Sequence, residues 1–138
     1  MSAELLVKED KKTVECTGKQ GSEFRVWGKH VYGNAIGCRK EYLMDEQYLR
    51  RVVKEAVEIG RMTLLDLKSW RIGLGVSVVA VVLESHVTIH TWPEHDFATI
   101  DVYSCGKHTD PERAFEYIVE KLEARRVVKG SIDRSYMV

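Results

Sequence analysis

A chain of 138 residues is long enough for one domain with a real core and too short for two comfortable ones. Its 44% apolar and 30% charged residues are those of a soluble globular protein, and 21 basic against 21 acidic residues leave no net charge, which argues against general attraction to nucleic acid or an anionic membrane. No stretch is long and apolar enough to cross a bilayer, and the opening M-S-A-E-L-L-V-K-E-D lacks the basic start and apolar core of a signal sequence, so a cytoplasmic protein acting on small molecules is expected. Cys16, Cys38 and Cys105 form an odd set without a C-x-x-C pair, which suggests neither a disulfide framework nor a zinc knuckle.

Residues 8–23 mix charge, Gly and small polar groups with almost nothing to bury, so residues 1–23 read as a loosely attached arm and 24–138 as the single domain. From Phe24 the pattern turns strand-like through Val26, Trp27, Val31, Tyr32 and Ile36. Tyr48, Leu49, Val52, Val53, Ala56 and Val57 then repeat at one-face helical spacing, with Asp45 as N-cap and Gly60 as stop. Thr63 to Trp70 alternates imperfectly as a half-buried strand. Val76 to Leu83 is apolar on both faces except at Ser77, which predicts a central strand.

Past Ser85 the strand period of two places His86, Thr88, His90 and Trp92 on one face. In the next strand Thr99, Asp101, Tyr103 and Cys105 share a face opposite Ala98, Ile100 and Val102. One sheet face is therefore polar, and the apolar one needs helices to cover it. The last helix starts with Thr109 or Asp110 as cap and Pro111 at its first position, and buries Ala114, Phe115, Ile118, Val119 and Leu122. A short strand around Val127 and Val128 and a polar tail finish the chain. The order β-α-β-β-β-β-α-β implies an α+β two-layer sandwich, an antiparallel sheet with two helices on one face.

The reactive side chains concentrate between Leu83 and Gly106, in the strings E-S-H-V-T-I-H-T-W-P-E and D-V-Y-S-C-G. In residues and spacing this stretch resembles the S-adenosylmethionine decarboxylase proenzyme family of prokaryotic type, over roughly residues 28–126. The resemblance implies the same two-layer fold and a chain that cuts itself between Glu84 and Ser85, giving a β chain of residues 1–84 and an α chain of residues 85–138 whose Ser85 becomes a pyruvoyl group. It further implies that His90 and Ser77 assist processing, that Cys105 protonates the product carbanion, and that Glu94 binds substrate. A neutral imidazole suits proton removal, a hydroxyl suits support of an oxyanion, and a thiol of ordinary pKa about 8.5 donates and recovers a proton near neutrality.

In such chemistry the pyruvoyl carbonyl condenses with the substrate amine as a Schiff base and takes up the electrons left by CO2, so neither pyridoxal phosphate nor a metal is expected. The product would feed spermidine and polyamine biosynthesis. Where bacterial-type members carry a Phe six residues before the processing serine, this chain has Arg71 beside Trp70, so Trp70 is the candidate for stacking on adenine. The stretches G-K-H-V-Y-G-N, L-K-S-W and D-R-S also look like an archaeal branch that decarboxylates arginine, for whose guanidinium Glu94, Asp96 or Asp101 would offer a carboxylate. A third reading is an unprocessed, non-catalytic partner of an active copy, as some relatives are. The resemblance implies a homodimer with sites at or near the subunit contact. A metal site at His86 and His90 with His95 or Asp101 is disfavoured, because four strand positions separate the two imidazoles too widely.

Overall fold

The computed structural model describes residues 16–20 and 23–137. Nine strands, β1 (Thr17–Gln20), β2 (Glu23–Val26), β3 (Gly28–Ile36), β4 (Leu64–Ile72), β5 (Gly75–Val82), β6 (Ser85–Trp92), β7 (Phe97–Cys105), β8 (Arg126–Asp133) and β9 (Tyr136–Met137), accompany the helices α1 (Lys40–Leu43), α2 (Glu46–Ile59) and α3 (Pro111–Lys121) among these residues. Six strands form one sheet in the order β4-β5-β6-β7-β3-β8, and every neighbouring pair is antiparallel. Helices α2 and α3 pack on each other and on this sheet, so the expected α+β sandwich is present.

The helices sit where their sequences demand. Leu49, Val52, Val53, Ala56 and Val57 are buried along one stripe of α2, and the Asp45 carboxylate accepts the Tyr48 amide at 3.0 Å. Of the two caps open to α3, Asp110 is used: its carboxylate accepts the Arg113 amide at 3.1 Å, with Pro111 behind it. Facing these stripes, Val31, Val78, Ala80, Val87, Ile89, Ala98, Ile100 and Val102 project from the sheet with essentially no exposure. Each fully buried aliphatic or aromatic side chain of this kind contributes about 1.5–3 kcal/mol of transfer free energy, which makes this interface the dominant stabilising layer.

The opposite sheet face has no helix on it. Register places Trp70, Ser77, Val81, His86, His90, Trp92, Thr99, Asp101, Tyr103, His30, Tyr32 and Ile132 there, and five of these, Trp70, Val81, Trp92, Tyr32 and Ile132, are large apolar groups left exposed, as is the neighbouring Val128.

Three expectations are corrected in detail. The imperfect alternation of β4 comes from a register shift between Leu64 and Asp66, which leaves Leu65 as the extra, exposed residue. The last core strand is longer than a short piece around Val127, because Arg126 to Asp133 pairs along nearly the whole of β3. Residues 17–20, placed in a loose arm by composition, instead pair with 23–26 as a hairpin, which β9 joins on its other side. The rest of that arm, 1–15 with 21 and 22, lies outside the described residues.

Candidate active site

Ser85 opens β6 immediately after the two-residue turn Leu83–Glu84, since Val82 and Ser85 are cross-strand partners. Its φ of +148° is a backbone conformation that L side chains rarely adopt, the kind of local strain that persists only where surroundings over-determine it. Two sets of bonds supply that determination. The Glu84 carbonyl, the one belonging to the Glu84–Ser85 peptide, accepts the Cys105 amide at 2.8 Å. The Glu84 carboxylate is fully buried and accepts the Thr63 amide at 2.9 Å, the Thr63 hydroxyl at 3.3 Å and His108 Nε2 at 3.0 Å. The residue before the candidate cut is thus held at both its carbonyl and its side chain.

Ser77 and His90 are cross-strand partners on β5 and β6, and Ser77 Oγ shares a 2.7 Å hydrogen bond with His90 Nδ1. Trp70 is the next residue in that row, opposite Ser77 on β4, with 54% of its surface exposed. Arg71, at the position where bacterial-type members carry Phe, faces the other way and donates from Nη2 to the Met44 carbonyl at 2.8 Å. Glu94 is exposed in the 3-10 turn Pro93–His95 beyond the end of β6. This group does not meet Ser85 within the protomer: five strand steps separate Ser85 from His90, about 16 Å, and Glu94 lies further still. The residues expected to act together therefore form two clusters, Glu84, Ser85 and Cys105 at one end of β6, and Trp70, Ser77, His90 and Glu94 toward the other.

Between them lies a third group, joined across three strands of the polar face. Asp101 accepts His30 Nε2 at 2.7 Å on one carboxylate oxygen and His86 Nε2 at 2.9 Å on the other. Burial pushes the Asp101 carboxyl up, but the two imidazole hydrogen bonds and their charge outweigh it and hold it below the ordinary aspartate value. Tyr103 packs edge-on against His30 and stacks under the Arg134 guanidinium at 4.3 Å. His86 is paired with Asp101 and not with His90, and no group of three or more His, Cys, Asp or Glu suited to a metal occurs among the described residues.

Cys105 overturns the reading of the cysteines. It is disulfide-bonded to Cys16, 89 residues away, because Cys16, just ahead of the N-terminal hairpin, is laid beside the end of β7, a proximity that counting and spacing of cysteines cannot express. In this state Cys105 has no thiol proton to give. Cys38 alone stays free and buried among the described cysteines; burial, and next the charge of Asp96, push its thiol up to about 11, so it is an inert core group.

A two-layer α+β sandwich with a strained, doubly anchored Glu84–Ser85 peptide at one end of β6 and a row of polar side chains on its open sheet face defines a class of small α+β enzymes. Comparison with known proteins places the chain within that class. The family profile described as S-adenosylmethionine decarboxylase matches residues 29–135. A protein of Sulfurisphaera tokodaii described as S-adenosylmethionine decarboxylase proenzyme is 60% identical over 111 residues, 80% of this chain and 91% of the relative. Its counterpart from Aeropyrum pernix, described in the same words, is 56% identical over 119 residues, 86% of this chain and 92% of the relative. The crystal structure of the adenosylmethionine decarboxylase from Aquifex aeolicus superposes with a TM-score of 0.72 at 30% identity, covering 78% of this chain and 90% of that one. The chain belongs to the S-adenosylmethionine decarboxylase family, and is a carboxy-lyase made as a proenzyme. No helix among the described residues is long and apolar enough to cross a membrane.

Proposed function

We propose that the chain is a self-processing decarboxylase of S-adenosylmethionine, cut between Glu84 and Ser85, with its pyruvoyl group made from Ser85. The observation that carries this reading is the Glu84 carbonyl held by the Cys105 amide at 2.8 Å while Ser85 sits at φ +148°. Ser85 Oγ attacks that carbonyl, and the Cys105 N–H stabilises the oxyanion from a distance suited to the role. The C–N bond breaks, the acyl group moves to oxygen, and removal of the Ser85 α-proton expels the main-chain carboxylate of Glu84, the new C-terminus; the remaining dehydroalanine takes up water and loses ammonia. His90, oriented by Ser77, is the base for the α-proton. The pyruvoyl group, once formed, supplies the electron sink for loss of CO2.

The chain's own residues do the rest. Trp70 offers an exposed ring for adenine and the sulfonium, Glu94 a carboxylate for the substrate's polar groups, and the reduced Cys105 Sγ–H returns a proton to the carbon that lost CO2. Because the two clusters lie at opposite ends of β6, the working site takes Ser85 and Cys105 from one protomer and Ser77, His90, Trp70 and Glu94 from a second copy. The uncovered sheet face with its exposed Trp70, Val81, Trp92 and Ile132 supports such a homodimer.

The test is an intact-mass spectrum of the purified, reduced protein followed by carboxyl-labelled S-adenosylmethionine and, separately, arginine. Two fragments divided after Glu84 with CO2 released from S-adenosylmethionine are expected, and Ser85→Ala should yield neither. CO2 from arginine alone would move the chain to the arginine branch, and an intact chain without CO2 would make it a non-catalytic partner.

A further inference from the structure

We propose that Cys105 is the target of a reversible thiol–disulfide modification, with Cys16 as its built-in resolving partner, and that the bridged enzyme is silent in decarboxylation. The proposal rests on reading Cys105 as the proton donor: a sulfur in a disulfide carries no proton, so the bridge removes the donor while leaving the backbone around it in place. The other half of the pair is an addition to the family core, since Cys16 lies ahead of the matched residues 29–135. The bridge closes on the reactive cysteine and not on the free cysteine of the core, so making or breaking it changes the chemistry this side chain can do.

Cys16 is held beside its target by more than the covalent bond. Its carbonyl accepts the Trp27 amide at 2.9 Å, the Trp27 carbonyl in turn accepts the Gly106 amide, and Gly106, next to Cys105, adopts φ +106°, where a Cβ would stand 3.0 Å from the His108 ring and 3.7 Å from Cys16 Sγ. Lys107 Nζ sits 4.2 Å from the Trp27 ring centroid and closes the same corner. After reduction Cys16 therefore remains close to Cys105, so exchange with an oxidised dithiol, which takes up the two electrons and two protons as it is reduced, re-forms the bridge at high effective concentration. A cleft of about 470 Å³ opens beside Gly106, the residue after Cys105, and is lined there by Trp27, Gly28, Lys29, Lys107 and Asp133.

The reductant is a dithiol, either a C-x-x-C protein or dithiothreitol. One of its thiolates attacks a sulfur of the pair, the mixed disulfide is resolved by its second thiol, and two electrons and two protons pass to Cys16 and Cys105 while the dithiol becomes a disulfide. Processing adds a consequence that makes the state easy to read: Cys16 belongs to the β chain and Cys105 to the α chain, so the bridge ties the two fragments together.

The experiment uses the full, self-cleaved protein equilibrated in mixtures of oxidised and reduced dithiothreitol, with non-reducing electrophoresis and labelled CO2 release followed together. The fully bridged protein should run as one species and turn over at least tenfold more slowly than the reduced protein, and dithiothreitol should restore both the two-band pattern and the rate. Cys16→Ser should run as two fragments and keep the reduced rate in every mixture. Bridged protein turning over at the reduced rate, or no bridge forming in the oxidising mixtures, would overturn the switch. Reduced wild type and Cys16→Ser both failing to release CO2 would overturn the decarboxylase reading itself, and the switch with it, so the two failures are told apart.

Discussion

His108 was not among the residues that motif reading singled out, yet it donates to the buried Glu84 carboxylate that anchors the Glu84–Ser85 peptide. Its role here is positioning: it touches Glu84's side chain and neither the scissile bond nor a substrate. Removing it leaves a buried carboxylate with the Thr63 donors alone, a loss of about 1–3 kcal/mol in folding stability. Strain at Ser85 is maintained by that anchor, so His108→Ala should also slow self-cleavage by tenfold or more, read as fragment appearance on a gel over time. His108→Gln, which keeps a donor at similar reach, should recover a substantial part of the rate, whereas a purely structural residue would lose stability without a selective change in cleavage. Glu84, Ser85, His90 and Cys105 drew notice because they stand in one short stretch, and Asp101 as a carboxylate on the polar face; Thr63, His108 and His30 did not, since each meets its partner across 21 to 71 residues of chain.

Helices and strands were largely readable from periodicity and caps. Asp45 and Asp110 do what their positions promise, because an N-cap is a contact over three residues and depends on nothing distant. The β4 irregularity and the full length of β8 were less readable, since both are properties of pairing between strands and neither is local to one. Gly33 shows how tight that pairing is. It lies on β3 between β7 and β8 under Phe115, and a Cβ there would stand 2.4 Å from the Val128 carbonyl and 3.0 Å from the Phe115 ring. Backbone cannot yield as a flexible side-chain tip does, so Gly33→Ala should destabilise the protein by about 1–3 kcal/mol, measured as a fall in thermal midpoint. The lost pairing is at β8, so hydrogen exchange should rise there first.

At the scale of the molecule, strand parity told which residues share a face but not which ends of the sheet they occupy. Hence the sequence suggested one site where the protomer holds two separate clusters, and its odd set of cysteines gave no sign of the Cys16–Cys105 pairing. The arrangement in two copies has a direct test. Ser85→Ala lacks the serine and His90→Ala lacks the base, and neither homodimer should process. Co-expressed, the mixed dimer joins the intact Ser85 of the His90→Ala chain to the intact His90 of its partner. Cleavage of the His90→Ala chain alone is expected, identified by fragment mass; absence of cleavage in dimers shown to be mixed would require both residues on one chain.

The donor to the Glu84 carbonyl is the peptide N–H of residue 105, supplied by strand register and not by a side chain. Nineteen of the twenty amino acids carry that group, all but proline. On the proposed mechanism, selection at position 105 would therefore see only what the side chain does after the cut, and a lineage that lost the cysteine would accumulate chains that carry a finished prosthetic group with nothing left to complete the turnover.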